Sequence, residues 1–301
     1  MIDNTDSDVQ QPINILFSDV SEQVCRIRGK DFYCLAEISD HNQRIYLRDY
    51  EIRDKTSFRN MIFTLESLIS RRSYSKIWGK IPQSDVLLFS EFGFVQEARI
   101  VNYFRKREDA VVCSKFWFDR NHSHSSEKNS QILQLIQKYN PEIINLELPD
   151  GYMFKFAEIQ DLPGLARLYD QVFLTYPYPI TDYKYLASTM DHVIYGLIYK
   201  GDLIVAAASA EINFHLKNAE MTDFATLPSE RGKKLASIIL RKLEENLYHK
   251  GITTLYSIAR STSPGINLLF AGAGYKYTGT LINNCNIDGN LEDMNVFCKT
   301  L

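Results

Sequence analysis

The stretch "TDFATLPSERGKKLASIIL", Thr222–Leu240, joins a short apolar segment to a helical pattern through a Pro-Ser-Glu corner and the cationic "RGKKLA". Ser229 is a residue type that caps helices, and Gly251 is one that ends them. Between them, apolar residues recur every three or four positions, the spacing of a buried helical stripe: Leu235, Ile238, Ile239, Leu243 and Leu247. The stretch therefore predicts a strand, a tight connection and a core helix.

Three cations, Arg231, Lys233 and Lys234, fall at the predicted start of this helix, where the helix macrodipole is already positive. Cations are unfavourable there unless an anion binds in front of them, together with the free N–H groups of the first turn. Electrostatics thus favours a phosphate site, although an ordinary core helix with a cationic first turn explains most of the same residues. The pattern by itself names no ligand.

The chain as a whole has the composition of a globular protein. It has 301 residues, 45% of them hydrophobic, and a formal net charge of −3. This charge argues against a protein that neutralises a nucleic-acid backbone, and it favours a small-molecule partner. The polar N-terminus and the lack of a run of about 18 apolar residues predict no secretory signal, no membrane span and a cytoplasmic location.

Several common sites are not indicated by the sequence. The five cysteines are scattered and never spaced as C-x-x-C, which is typical of reduced thiols rather than a disulfide frame or a zinc site. His122 and His124 have no further ligands nearby in sequence, so no metal is expected. Neither a G-x-S-x-G elbow nor a G-x-x-x-x-G-K-[ST] loop occurs, which argues against the common hydrolases and nucleoside triphosphatases.

The order of strand and helix patterns predicts an α/β fold with mixed sheets and helices on both faces. Residues 1–12 are expected to be a mobile leader, 13–118 a smaller α/β domain, 119–150 a linker with a connecting helix near Ser130–Tyr139, and 151–301 a second domain. In the smaller domain, Ser57 is predicted to cap an amphipathic helix.

The two domains share a weak internal similarity. Aligning Gly93 with Gly274 superposes "LLFSEFGF" on "LLFAGAGY", and the same offset matches Ile77 to Ile258 in the preceding strand. Either the two halves are a repeat or two amphipathic helices are similar by chance. In the first case the N-terminal copy lacks anything like "RGKKLA", so its helix is expected to be structural.

The segment "PSERGKKLA" after a strand resembles the Arg/Gln-x-x-Gly-x-Gly/Ala motif of the GNAT family of N-acetyltransferases. Arg231 and Ala236 match the first and last positions, whereas Lys234 stands where the family usually has glycine. The resemblance implies a GNAT fold over residues 152–301 and acetyl-CoA as co-substrate. It implies these cofactor-binding residues: Phe224, Ala225, Thr226, Leu227, Arg231, Gly232, Lys233, Lys234, Leu235, Ala236 and Asn267.

A narrower resemblance runs from about Arg44 to the C-terminus. The segments "YPYPI", "NAEMTDFATLP", "YSIARS" and "MNVF", with "GFVQEARI" near the N-terminus, are similar to the β-lysine N-acetyltransferases. It implies transfer of acetyl to the side-chain amine of β-lysine, a small diamino acid, giving the neutral compatible solute Nε-acetyl-β-lysine. The alternatives are another amine acceptor, or a module that binds acetyl-CoA without turnover. A homodimer is compatible with the sequence, which does not specify the oligomeric state.

Acetylation of an amine needs a proton acceptor, because an amine with a pKa of about 10.4 is protonated at neutral pH. Glu220 and Asp223 lie on the strand expected beside the thioester, and Glu220 is the predicted base. Being three residues apart on a strand, the two are expected to face opposite sides. Asp223 is then a predicted substrate ligand.

The remaining candidates concern the leaving group and the acceptor. Phe270 occupies the position where many GNAT members have a tyrosine acid, so Tyr256, Tyr275 or a water is left for that role. Arg260 is predicted to bind the substrate carboxylate, with a strand-end surface arginine as the alternative. Tyr176 and Tyr178 are predicted to line the acceptor site, with core packing as the alternative.

Overall fold

The computed structural model describes residues 13–14, 22–123, 125–139 and 146–301. Within them the chain forms two compact units, one running up to Gln96 with Cys113–Asn121 added, the other comprising Glu97–Val112 and His122–Leu301. The first of these divisions, between Gln96 and Glu97, falls inside the range 13–118 that was predicted to form one domain. The predicted leader at residues 1–12 and His124 lie outside the described residues.

The first sheet has seven strands in the order β1-β2-β3-β4-β5-β7-β6. Its strands are β1 (Ile13–Asn14), β2 (Glu22–Arg28), β3 (Phe32–Ser39), β4 (Arg44–Ile52), β5 (Lys76–Pro82), β6 (Val95–Phe104) and β7 (Glu108–Phe116). Helices α1 (Lys55–Arg72) and α2 (Val86–Glu91) flank β5 in the chain. Apolar residues of α1 recur at helical spacing and are fully buried: Phe58, Met61, Ile62, Leu65 and Ile69.

The second unit begins, after the hairpin residues, with a connecting helix, α3 (Ser126–Lys138). It starts four residues earlier than the sequence pattern indicated, so part of the polar segment read as linker is helical. The unit then continues with β8 (Tyr152–Phe156), α4 (Leu162–Val172), α5 (Tyr183–Thr189), β9 (Val193–Lys200), β10 (Leu203–Asn213), β11 (Asn218–Thr226), α6 (Leu235–His249), β12 (Thr254–Arg260), α7 (Pro264–Gly272), β13 (Lys276–Ile287) and β14 (Asn290–Thr300).

The second sheet has the order β13-β14-β12-β11-β10-β9-β8 and is covered on both faces. On one face, which we call the α6 face, strand residues such as Ala219 and Met221 pack against α6 and α7. On the opposite face, the α4 face, residues such as Leu197 and Ala225 pack against α4 and α5. Because neighbouring strand residues point to opposite faces, this division assigns each site residue to one side of the sheet. The predicted mixed sheet with helices on both faces is confirmed.

The two sheets repeat one topology. In each sheet the first four strands are neighbours in chain order, and the fifth strand pairs in parallel with the fourth. The last two strands form a hairpin, and its second strand lies next to the fifth, which leaves its first strand at the edge. In both, one helix precedes the fifth strand and another follows it. Gly93 and Gly274 each lie just after the helix that follows the fifth strand, with φ of 84° and 82°. This shared order supports the internal repeat and argues against chance similarity.

The N-terminus of α1 is closed by its own residues. Asp54, not Ser57, is the N-cap, so the prediction for Ser57 was wrong by three positions. The Asp54 carboxylate accepts from the N–H groups of Thr56 and Ser57, each at 2.9 Å. These hydrogen bonds hold the pKa of Asp54 below its usual value. A carboxylate already occupies this helix end, in agreement with a structural rather than an anion-binding helix.

Candidate active site

Strands β11 and β12 separate along their length. They pair in parallel only at three positions, Asn218 with Thr254, Ala219 with Leu255, and Glu220 with Tyr256. Beyond these positions β11 stays paired with β10, and β12 stays paired with β14 as far as Arg260. In the described chain no strand pairs with the β12 side of β11 after Glu220. Such an edge offers backbone N–H and C=O groups to an extended ligand.

A β-bulge interrupts β11 at the same level. Thr222 pairs with Ser209 and Ala225 with Ala207, so Asp223 and Phe224 together lie opposite the single residue Ala208. Asp223 has a φ of 54°, a left-handed conformation that Asp and Asn tolerate better than most residues. Bulges reorient side chains and are frequent beside active sites.

The bulge overturns the expectation that Glu220 and Asp223 face opposite sides. Glu220 lies between Ala219 and Met221, which both face α6, so Glu220 points to the α4 face. Asp223 points to the same face, since its carboxylate accepts a hydrogen bond from Ser209 at 2.5 Å. The extra residue changes the alternation, and the two carboxylates share one face. Burial is the main cause that raises the pKa of Asp223, and repulsion by Glu220 adds to it.

Asp223 is the centre of a cluster of hydroxyl groups. Besides Ser209, its carboxylate accepts from the Tyr176 hydroxyl and from the Thr222 hydroxyl, the latter at 3.4 Å. Burial, first of all, raises the pKa of Asp223, and these donors oppose that shift. Burial and the Asp223 charge likewise raise the pKa of Tyr176. Tyr178, by contrast, is 37% exposed and stacks on Tyr185 with ring centroids 6.5 Å apart.

The cationic loop between β11 and α6 differs from the predicted cap. Helix α6 begins at Leu235, and Ser229 lies in a 3-10 turn several residues earlier, where it caps nothing. Its predicted role as N-cap was wrong. The N-cap position is Lys234, which has a φ of 59° and makes no side-chain capping bond. Gly232, at a φ of 82° in open space, is the other left-handed residue of the loop.

This geometry leaves the first turn of α6 open to an anion. The first helical bond runs from the N–H of Ile238 to the Lys234 carbonyl at 3.1 Å. The N–H groups of Leu235, Ala236 and Ser237 precede that bond and have no acceptor within the helix. Together with the macrodipole they form an arrangement that suits a phosphate.

The cations of the loop do not all face the open turn. Lys233 forms an ion pair with Glu230, and its ammonium donates to the Tyr152 hydroxyl at 2.7 Å. Lys200 reaches the same carboxylate at 3.1 Å. The hydrogen bond from Lys233, then those from Tyr152 and Lys200, lower the pKa of Glu230 to about 2. The side chain of Lys233 is thus held by Glu230, and among the described residues Arg231 and Lys234 are the exposed cations of the loop that form no ion pair.

Arg260 lies at the end of β12, on the same face as Tyr256, because Ala259 beside it faces α6. Its guanidinium donates to Glu292 Oε1 at 2.7 Å, and the Thr262 hydroxyl donates to Glu292 Oε2 at 3.1 Å. Arg260 is therefore not an isolated surface arginine, since a carboxylate is already positioned beside it.

Asn267 is buried at the start of α7, and its amide is used inside the protein. It donates to the carbonyls of Arg260 at 2.9 Å and Ser263 at 2.7 Å, and it accepts from Asn295 at 2.8 Å. Both amide hydrogens of Asn267 are thus used inside the protein, so the side chain has no N–H left to donate to a cofactor. Its predicted cofactor role remains a prediction.

Phe270 and the two tyrosines considered for the leaving group have different environments. Phe270 is fully buried and packs edge-on against Phe224 of the bulge, with ring centroids 5.5 Å apart. Tyr275 packs under Phe270, beside Glu244 of α6, and burial raises its pKa strongly. Tyr256 pairs with Glu220 in register, where β11 and β12 begin to separate. Only Tyr256 of the two tyrosines is thus placed at the strand split.

Sequence reasoning missed Ser209, Thr222 and Glu292. Ser209 lies in an alanine-rich strand and looks like a small core residue until the register with β11 is known. Glu292 is 32 residues from Arg260, and only the pairing of β12 with β14 brings them together. A lone Thr next to an Asp on a strand carries no pattern signal. None of the three could be found without the register.

No helix in the described ranges is both long and apolar enough to cross a bilayer. Nor do three or more His, Cys, Asp or Glu side chains there converge as a metal-binding group.

Comparison with known proteins places the chain in a family. The model of the acetyltransferase (GNAT) family matches residues 162–269, from the start of α4 into α7. The β-lysine N(6)-acetyltransferase of Methanococcus maripaludis is 34% identical over 269 residues, which is 88% of this chain and 95% of that protein. The protein of the same name from Methanosarcina mazei is 34% identical over 79% of this chain and 84% of its own length. The N-acetyltransferase YodP of Bacillus subtilis is 36% identical over 73% of this chain and 80% of its own length. With this similarity extending over both units and with the strand split of the second sheet, the chain belongs to the GNAT family and is an acetyltransferase.

Proposed function

We propose that this enzyme transfers the acetyl group of acetyl-CoA to the side-chain amine of β-lysine, giving Nε-acetyl-β-lysine, a neutral compatible solute. The observation that carries the reaction is the placement of Glu220 and Asp223 on one face beside the open edge of β11. The choice of β-lysine is supported by the two relatives that carry this substrate in their names and match most of the chain.

The residues around the split fit the family's co-substrate. GNAT enzymes use acetyl-CoA, which when bound supplies the thioester. The free N–H groups at the start of α6, with the charges of Arg231 and Lys234, would hold its phosphates. The open edge of β11, from Met221 to Thr226, would bind the extended pantetheine arm through its backbone groups.

Glu220 is the proposed proton acceptor for the amine. Deprotonating an ammonium with a pKa of about 10.4 at neutral pH costs roughly 4 to 5 kcal/mol, so a positioned base is needed. Glu220 lies at the last paired position before the strands separate, level with Tyr256. The Asp223 carboxylate instead accepts hydrogen bonds from three hydroxyl groups, and we propose that it holds Tyr176 and Thr222 in place. Tyr256 is the proposed proton donor to the leaving thiolate.

Initial rates with β-lysine, α-lysine and spermidine test the acceptor. We expect β-lysine to have the highest kcat/KM of the three. Acetylation of spermidine without reaction on β-lysine would contradict the proposal. Acetyl-CoA binding without transfer to any of the three amines would instead support a binding module.

The variant Glu220→Gln tests the base. We expect a fall in kcat of about 100-fold or more, with little change in acetyl-CoA affinity, since general base catalysis contributes roughly 10²–10⁴. Glu211→Gln is the matched control, because Glu211 lies directly opposite Glu220 on β10 and is exposed. An unchanged rate for Glu220→Gln, or equal losses in both variants, would remove Glu220 from the mechanism.

A further inference from the structure

A second charged group lies on the face of the sheet that carries Glu220. Arg260 and Glu292 come from neighbouring strands, with the guanidinium and carboxylate 2.7 Å apart. The Arg260 side chain is 40% exposed, whereas that of Glu292 is 14% exposed and is fixed from its other side by Thr262. A partly exposed ion pair of this kind adds little to stability. Stability alone therefore does not explain why this ion pair is on the face that carries Glu220.

The pair is at a suitable distance from the reaction centre. Arg260 is four residues beyond Tyr256, the register partner of Glu220, and both stand on the α4 face. At about 3.3 Å per strand residue this is roughly 13 Å along the sheet, with side chains standing roughly perpendicular to it. An extended six-carbon diamino acid spans about 7 to 8 Å from its terminal nitrogen to its carboxylate, by ordinary bond lengths. A hydrogen bond of about 2.9 Å at each end brings that span to roughly 13 Å.

The polar atoms of the pair are incompletely used. Among the described residues, Arg260 Nε and the hydroxyl of the adjacent Ser261 are buried and have no hydrogen-bond partner. Buried polar groups are nearly always satisfied in folded proteins, so each such exception needs an explanation. Within the described residues Arg260 donates to Glu292 through Nη2 alone and its side chain is 40% exposed, so the guanidinium keeps donor capacity for a second carboxylate.

We propose that Arg260 and Glu292 form the subsite that binds the amino-acid end of the acceptor. Arg260 binds the substrate carboxylate, and Glu292 binds the ammonium group on the β carbon. A cation and an anion side by side match a zwitterion whose two charges are close together, whereas a simple alkylamine presents neither. The inference rests on the proposed transfer to a diamino acid, and it adds Glu292 as a residue that determines specificity.

The test is a comparison of three acceptors on the full-length protein. β-Lysine has both groups, 6-aminohexanoate lacks the β-ammonium, and 1,4-diaminopentane lacks the carboxylate. Glu292→Gln is expected to lower kcat/KM for β-lysine by about 10-fold or more, mainly through KM, because hydrogen bonds to charged groups are strong. The same variant should change kcat/KM for 6-aminohexanoate by less than about 3-fold.

Arg260→Lys, which keeps the charge, gives the complementary pattern. It should lower kcat/KM for β-lysine and for 6-aminohexanoate by about the same factor, because a lysine cannot make the bidentate contact. It should leave kcat/KM for 1,4-diaminopentane unchanged. If wild-type protein acetylates β-lysine but both variants lose the same factor with all three acceptors, the pair is structural and the inference fails alone. If wild-type protein does not acetylate β-lysine, the proposed function fails and the inference fails with it.

Discussion

Lys234 holds a left-handed backbone conformation at the start of α6, with a φ of 59°. This conformation costs a residue with a β carbon roughly 1 to 2 kcal/mol, and glycine nothing. Glycine loses about 0.5 to 1 kcal/mol through the entropy of the unfolded chain. The variant Lys234→Gly is therefore expected to be more stable by about 0.5 to 1 kcal/mol, which corresponds to a rise in Tm of about 1 to 4 °C.

The same change removes a positive charge from the proposed phosphate site. Because an exposed charge pair contributes little free energy, we expect acetyl-CoA to bind only about 2- to 5-fold more weakly to Lys234→Gly at low salt. The difference should shrink in high salt, because salt screens exposed charges. Differential scanning calorimetry and isothermal titration calorimetry at two salt concentrations measure the two effects.

Lys234→Ala separates backbone conformation from charge. It removes the charge but keeps the β carbon, so it should be about 1 kcal/mol less stable than Lys234→Gly while binding acetyl-CoA equally weakly. Gly232→Ala is the converse control, since it places a β carbon at a φ of 82° without changing the charge. Equal stability of the alanine and glycine variants at position 234 would refute the reasoning.

Three further predictions follow from single contacts. Phe270→Tyr should lower the free energy of unfolding by about 1 to 3 kcal/mol without raising kcat, because the new hydroxyl would be buried without a partner beside Phe224; chemical denaturation and initial rates check this. Glu230 has a folded pKa of about 2, below its unfolded value, so its contribution to stability is present at neutral pH and is lost as the pH falls from about 4.5 toward 2; the difference in urea midpoint between wild type and Glu230→Gln should therefore shrink at pH 3. Asp54→Ala should lower the Tm by removing the cap of α1 and leave acetyl-CoA affinity unchanged, which thermal melts and calorimetric titration measure.

The order of secondary structure was largely predictable because it depends on local patterns. The stripe of α6 is buried, as its spacing predicted. Caps were predicted less well. Ser57 and Ser229 are both good capping residues in sequence, but the structure uses Asp54 in one helix and no side chain in the other. A cap depends on where the preceding chain turns, which residue type alone does not fix.

The candidate site depended on features that no local pattern contains. The alternation rule placed Glu220 and Asp223 on opposite faces, and one extra residue in β11 reversed that result. A bulge is a mismatch between two strands, so it becomes visible only when the register of β10 and β11 is known. The Arg260–Glu292 pair likewise depends on strand order, because 32 residues separate its members in sequence. The sequence therefore predicted which residue types the chemistry needs better than it predicted how they are combined.

The repeated topology places two helices in equivalent positions with different N-termini. Helices α1 and α6 precede the fifth strand of their sheets in the same way. In α1 the Asp54 carboxylate occupies the N–H groups of the first turn, and a second anion there would be repelled. In α6 no side chain caps the helix, and a loop with two left-handed residues leaves its first N–H groups open beside exposed cations. Since the strand order is the same in both sheets, the proposed difference in anion binding arises from the residues before each helix, and the fold alone does not determine it.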